Sequence, residues 1–106
     1  MEAIDRAHLD AQTFGDAELA AELLGLFADQ CRRILPRLSD AALPAQDRAD
    51  LAHTLKGSAA SVGAQRVREI SAAVEAALRE GGDAAAALAA LAPAIAAVLA
   101  AIAAGP

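Results

Sequence analysis

The chain has little of what many functional classes require. Its 106 residues include no tryptophan, no tyrosine, two phenylalanines and one cysteine. A lone cysteine, Cys31, excludes an internal disulfide and fits a reducing compartment, and we expect it to be buried as a small apolar side chain. Positive charge is also scarce. The net charge of −5 argues against a nucleic-acid partner, because nucleic acids bind basic surfaces.

Targeting and membrane segments are also not indicated. Residues 1–5 are acidic and lack the basic and apolar regions of a signal peptide. Residues 84–104 are almost uncharged and about as long as a membrane span, but most are alanine, which is barely apolar. Their large side chains recur at helical spacing, which indicates a core-facing helix and not a membrane span. We expect a cytoplasmic protein without membrane contact. These core-facing residues are Leu88, Leu91, Ile95, Val98, Leu99 and Ile102.

Alanine accounts for much of the 57% apolar content, and it has the highest helix propensity of all residues. Long amphipathic segments with short connections predict an all-α fold, namely an antiparallel up-down four-helix bundle with a short N-terminal leading helix. We expect one domain, residues 1–106. The leading helix is predicted at 3–11, and the bundle helices at about 16–39, 45–62, 64–80 and 84–104.

Capping residues set several of these bounds. Asp16 suits an N-cap because its carboxylate can accept hydrogen bonds from the free amides of the next turn. Gly63 is placed to end its helix in a left-handed conformation, and Asp83 is placed to cap the last helix. Pro36 and Pro93 lie inside predicted helices, where the missing amide should bend the helix or, at Pro93, split it.

Two further features of the first half have open interpretations. Phe14, just before the Asp16 cap, can fold back as a hydrophobic plug. The basic residues Arg32, Arg33 and Arg37 lie near the C-terminal end of their helix. They either complement the helix dipole or dock an acidic partner.

The only lysine in the chain lies one helical turn after His53. In a helical projection His53 points about 150° away from the centre of the apolar face, so we expect it to be in water. Its neighbours on that side are Lys56, Gly57, Ala60 and Ala49. A glycine here costs about 1 kcal/mol relative to alanine. An ordinary surface histidine would not need such bare surroundings, and we interpret them as access for a partner protein or a phosphoryl group.

An exposed neutral imidazole is a competent nucleophile toward phosphorus. We expect Lys56 to favour the neutral ring and to offer positive charge to phosphoryl oxygens, while Gly57 leaves them room. Ser58 is expected to pack or to contact the helix backbone. The sequence has no glycine-rich phosphate loop, nucleotide motif or acidic cluster for Mg²⁺. We therefore expect no cofactor and no autokinase activity, so that the protein acts as a phosphocarrier.

Residues 52–64, AHTLKGSAASVGA, resemble the signature of the histidine-containing phosphotransfer (HPt) domain of multistep phosphorelays. The resemblance implies that His53 accepts a phosphoryl group from a receiver-domain aspartate and passes it to another such aspartate. It also implies that a hybrid histidine kinase supplies the phosphate and that the receiver domain binds the Mg²⁺. Apolar positions on the flanking helices extend the resemblance: Phe27, Leu35, Leu38 and Leu78.

In HPt domains a polar residue on the next helix often lies beside the histidine, and Glu75 matches that position, with Arg79 one turn further on. Glu75 then either fixes the tautomer of the ring or forms only a surface ion pair with Arg79. We expect Gln46, Ala49 and Ala60 to contribute to the surface that docks response-regulator receiver domains, and we expect a monomer.

Two alternatives compete with this interpretation. The main one is a helical protein-interaction module without chemistry, because a bare patch can dock a partner without transferring anything. A metal site is weaker, since His8, His53 and Cys31 are too few and too scattered for a recognisable ligand spacing. We expect His8 to be a solvated surface residue.

Overall fold

The computed structural model describes residues 2–105, which form five helices and no strand. The helices are α1 (Arg6–Gln12), α2 (Ala17–Leu38), α3 (Ala45–Val62), α4 (Gln65–Arg79) and α5 (Ala85–Ala104). Helices α2 to α5 close a ring of contacts in chain order, and α1 packs against α2 and α3. The prediction of an all-α four-helix bundle with a short leading helix is confirmed.

The end of α3 is set by a glycine that no other residue could replace cheaply. Gly63 has a φ of 80° and ends the helix in the left-handed conformation, as predicted. A Cβ added there would lie 2.8 Å from the carbonyl oxygen of Asp5. The amide of Asp5 donates to the carbonyl of Gly63 at 2.8 Å. This close approach ties the segment before α1 to the end of α3.

Asp16 is the N-cap of α2 as the sequence predicts, whereas Asp83 lies one residue before Ala84, the N-cap of α5. The carboxylate of Asp16 accepts from the amide of Leu19 at 3.1 Å, and that of Asp83 accepts from the amide of Ala85 at 2.8 Å. Each bond satisfies one of the free amides at a helix N-terminus.

The prolines do not interrupt their helices. Helix α2 continues past Pro36 and α5 continues past Pro93, so the predicted split at Pro93 does not occur. Both rings are exposed. The carbonyl that loses its amide partner therefore lies toward solvent, where water can satisfy it.

Arg48 joins the start of α3 to the end of α2, a contact that the sequence analysis did not foresee. Its Nε and Nη2 donate to the carbonyl of Leu38 at 2.9 and 2.7 Å. This carbonyl is one of the unpaired acceptors at the C-terminus of α2, where positive charge also complements the helix dipole. The contact therefore anchors the N-terminal part of the helix that carries His53.

Helix α5 faces the core with its large side chains. By length and composition it is the one helix among the described residues that could cross a membrane. Its exposed positions are alanines and Pro93, whereas its large residues are buried or half-buried against the bundle, in agreement with the predicted stripe. The buried ones are Leu91, Ile95 and Val98, and the half-buried ones are Leu88, Leu99 and Ile102.

Two sequence-based expectations outside the bundle core are wrong. Phe14 is 92% exposed with a φ of 55°; the tight turn between α1 and α2 directs its ring outward, so it forms no plug. His8 is half-buried, and its Nε2 is buried without a hydrogen-bond partner, because α1 packs against α3. Cys31 is fully buried as expected, and burial raises the pKa of its thiol to about 11.

Candidate functional site

Helix α3 holds His53 on its outer side. The side chain of His53 is 62% exposed, while Ala52, Leu55 and Ala59 on the opposite side are fully buried. Because residues of a helix rotate by about 100° each, burial of that face directs the imidazole into solvent. The predicted exposure of His53 therefore matches the structure.

The ring of His53 is not free on its inner side. Its Nδ1 lies 3.1 Å from Oε2 and 3.3 Å from Oε1 of Glu75 on α4. None of the hydrogen bonds among the described residues involves Nε2 of this ring. A carboxylate can only accept, so it favours the tautomer with the proton on Nδ1 and the lone pair on Nε2.

Glu75 is the centre of a charged network. Lys56 Nζ donates to its Oε1 at 2.8 Å, and Arg79 Nε donates to its Oε2 at 3.0 Å. The side chain of Glu75 is only 12% exposed. Its pKa is lowered to about 2, first by the hydrogen bond from Lys56 and then by those from Arg79 and His53. The group is therefore a carboxylate at neutral pH.

This network changes the role expected for Lys56. The sequence suggested a lone ammonium beside the ring, but the ammonium lies against Glu75 and is half-buried. The charged group that contacts the ring is the carboxylate of Glu75. Lys56 therefore neutralises and orients Glu75 in this state. To reach a phosphoryl group on Nε2, its ammonium must turn outward or contact Glu75 and the phosphoryl oxygens together.

Asp50 adds a contact that the sequence did not predict. Its Oδ1 accepts from Nη2 of Arg79 at 3.1 Å, so that the guanidinium bridges Asp50 on α3 and Glu75 on α4. The only available signal was spacing, since Asp50 lies three residues before His53 and hence near it on the helix surface.

The small residues around His53 are partly as predicted. Gly57 is exposed, and a Cβ built on it meets no atom within 4 Å; Gln46 and Ala60 are exposed as well. Ala49, in contrast, is fully buried and cannot belong to a docking surface. It lies on the same edge of α3 as the buried Ala52, where a small side chain permits close helix packing.

Ser58 lies in a shallow groove between α2 and α3. The groove has a volume of about 270 Å³ and is also lined by Leu26, Phe27 and Arg33. Ser58 is half-buried there, which corresponds to the packing alternative. Leu26 is 65% exposed, so the groove places an uncovered apolar side chain on the surface next to α3.

The three arginines of α2 do not form one patch. Arg33 lines the groove between α2 and α3, whereas Arg32 pairs with Asp29 at 3.3 Å and lines a different groove, between α2 and α5. Arg37 lies in the last turn of α2, where its charge complements the helix dipole. Of the three arginines, Arg33 is the one that lines the groove between α2 and α3.

Within residues 2–105, no group of three or more histidine, cysteine, aspartate or glutamate side chains could hold a metal ion. The carboxylate nearest to His53 is held by two cationic side chains. The site therefore presents an imidazole beside a carboxylate that is paired with Lys56 and Arg79.

Fold and site together define a helical bundle that presents one anchored, solvent-exposed histidine, whose Nδ1 contacts Glu75. The family model of the Hpt domain matches residues 22–105, and the chain belongs to this family. The match begins within α2, so α1 lies outside it. Searches among curated proteins and among solved structures give no match.

Membership in the family defines the broad function. Hpt domains carry phosphoryl groups in two-component signal transduction, and they interact with receiver domains and with histidine kinases. Such domains are typically soluble helical bundles.

Proposed function

We propose that this protein is a phosphorelay intermediate in which His53 accepts a phosphoryl group from a receiver-domain aspartate and passes it to a second receiver-domain aspartate. The observation that carries the proposal is the contact of 3.1 Å between Nδ1 of His53 and the carboxylate of Glu75 on an otherwise exposed ring. This contact leaves the lone pair on the outer nitrogen, which a partner can reach.

The transfer step follows from this tautomer. The Nε2 lone pair attacks the phosphorus of an aspartyl phosphate, a P–N bond forms, and the P–O bond to the aspartate breaks. The aspartate leaves as a carboxylate, and the ring, still protonated on Nδ1, becomes positively charged. Glu75 lies where that charge develops and stabilises it. The phosphoramidate retains a high transfer potential, so that the reverse attack by a second aspartate delivers the group onward.

Lys56 and Gly57 have different tasks in this step. Lys56 lies on the same side of α3 as His53, and its side chain is 33% exposed, which allows the ammonium to interact with both Glu75 and the phosphoryl oxygens. Gly57 leaves open space one turn after His53, so that a partner can place its phosphoryl group in line with Nε2. The Mg²⁺ of the reaction is expected on the receiver domain.

The docking surface in this proposal comprises exposed residues of α3 around His53 and the groove between α2 and α3. On α3, Gln46 and Ala60 are exposed and Gly57 leaves open space. The groove offers the exposed Leu26 and is also lined by Arg33. An apolar contact flanked by one positive charge fits a receiver surface that carries an apolar side chain and a nearby carboxylate. A hybrid histidine kinase is the proposed phosphate source, and a cytoplasmic monomer of one domain is the proposed form.

The competing function is an interaction module without chemistry. Transfer of labelled phosphate from a phosphorylated receiver, or from a kinase with ATP and a receiver, separates the two. We expect label on the wild type and on His8→Gln, which removes the other histidine, and none on His53→Gln. The label should be lost in acid and kept in alkali, as for a phosphoramidate. Equal labelling of His53→Gln would overturn the proposal.

A further inference from the structure

Asp50 is the last member of a chain of side-chain contacts that begins and ends on α3. From His53 the chain passes to Glu75 and Arg79 on α4, and Arg79 returns to Asp50 at 3.1 Å. Asp50 lies three residues before His53, so the two α3 members of the chain are neighbours on one helix surface. Asp50 itself makes no contact with the ring among the described hydrogen bonds and ion pairs.

The two carboxylate oxygens of Glu75 bind different cationic side chains. Oε1 is held by Lys56 at 2.8 Å, and Oε2 by Arg79 at 3.0 Å. One anchor alone would leave the carboxylate free to rotate about its terminal bond. Two anchors fix its plane, and Oε2 is the oxygen that lies nearer to Nδ1 of His53, at 3.1 Å.

Arg79 requires an anchor of its own. Its side chain is 43% exposed, and a long exposed side chain loses rotamer freedom when it is held in one geometry. A planar guanidinium that bonds carboxylates through both Nε and Nη2 is held in one orientation. The second carboxylate is Asp50, which therefore restrains Arg79 and, through it, Glu75.

We propose that Asp50 is a positioning residue for His53: by holding Arg79 it keeps Glu75 on Nδ1 and so maintains the tautomer that leaves Nε2 free. The charges that face the ring from α3 and α4 are those of Asp50, Lys56, Glu75 and Arg79, two negative and two positive. Loss of the Asp50 charge leaves this group with a net positive charge and Arg79 with a single anchor. The proposal deepens the function proposed above and rests on it for its effect on transfer.

The primary test measures the tautomer of His53 in the unphosphorylated protein, from the nitrogen chemical shifts of the imidazole at a pH about two units above the ordinary histidine pKa of ~6.5. We expect Asp50→Asn to raise the share of the Nε2–H form. Glu75→Ala should raise it further, and Asp50→Glu should restore much of the wild-type share. The matched control is Asp47→Asn, which removes the same charge from an exposed position of α3 outside the chain of contacts.

Asp50 is 61% exposed, so the asparagine variant should fold, and Asp50→Ser serves as a second variant with the same expectation. The inference is overturned if Asp50→Asn and Asp47→Asn give the same tautomer ratio as the wild type. It is equally overturned if Glu75→Ala leaves the ratio unchanged, because Asp50 would then have nothing to act through.

A second readout connects the tautomer to transfer. Exposed ion pairs of this kind contribute little free energy. We therefore expect Asp50→Asn to slow phosphoryl transfer by only about two- to fivefold, while Asp47→Asn transfers at the wild-type rate. Equal rates for the two variants would contradict the link. If neither the wild type nor any variant is labelled, the proposed function is wrong. The tautomer ratios then still show whether Asp50 positions His53.

Discussion

Replacement of Glu75 by glutamine tests the charged network most sharply. Glutamine has the same shape as glutamate but carries no charge, so Lys56 and Arg79 each lose the ion pair with residue 75 while the side chain keeps its place and Arg79 keeps its pair with Asp50. The amide oxygen can still accept from Nδ1 of His53. The Glu75→Gln variant should therefore retain the fold and the tautomer and lose the electrostatic part of the stabilisation.

The magnitude follows from the pKa of Glu75. A decrease from 4.5 to about 2 corresponds to an upper bound of roughly 3–4 kcal/mol of folding free energy. Solvent screens this interaction, because the side chains of Lys56 and Arg79 are 33% and 43% exposed. We therefore expect the variant to be less stable than the wild type by about 1–2 kcal/mol at neutral pH.

The pH dependence has a definite sign. The pKa of Glu75 is lower in the folded state, so its contribution is present above the unfolded pKa of about 4.5 and is lost as the pH falls toward 2. Urea unfolding followed by circular dichroism should show a constant difference between wild type and variant from neutral pH down to about 5.5, which then shrinks to near zero by about pH 2. The control is Glu69→Gln, an exposed glutamate of α4 whose ion pair with Arg68 measures 3.9 Å.

Two outcomes would refute this reasoning. If Glu75→Gln is as stable as the wild type at neutral pH, the network contributes nothing. If the difference in unfolding free energy remains unchanged at pH 2, the stabilisation does not come from the ionised carboxylate.

Two further predictions concern the neighbours of His53. Lys56→Ala should fold normally, since Glu75 keeps its bond to Arg79. Its phosphoryl transfer should be about tenfold slower or more, because the phosphoryl oxygens lose a cation. Single-turnover transfer measures this rate, and an unchanged rate would contradict the electrostatic role of Lys56. Gly57→Leu should raise helix stability by up to about 1 kcal/mol yet block the partner, whereas Gly25→Leu, also in open space but on α2, should stabilise without blocking. Undiminished transfer by Gly57→Leu, measured beside the Gly25 control, would show that the space is not needed.

The fold was largely predictable from local signals. The periodicity of large apolar residues and the caps at Asp16 and Gly63 act within a few residues, so the helix ends could be read without knowledge of the tertiary structure. The exposure of His53 was predictable for the same reason, because the apolar face of its own helix lies on the opposite side and fixes the direction of the ring.

Features that depend on packing between helices were harder to predict. Helical spacing places Ala49 four residues before His53 and so predicts it on the surface, but the approach of the neighbouring helices buries it. The bond from Arg48 to the end of α2 and the bridge from Arg79 to Asp50 both join helices through long side chains. Sequence spacing alone does not specify such contacts. The outward ring of Phe14 depends on a turn geometry that its neighbours did not indicate.

The central claim concerns one atom, the outer nitrogen of His53, and the most direct measurement is to locate the phosphoryl group after transfer from a phosphorylated receiver. Nuclear magnetic resonance of nitrogen-labelled protein, combined with peptide mapping, identifies both the residue and the ring nitrogen. We expect a P–N bond at Nε2 of His53 and an unmodified His8. A phosphoryl group on Nδ1 of His53, or on any other residue, would contradict it.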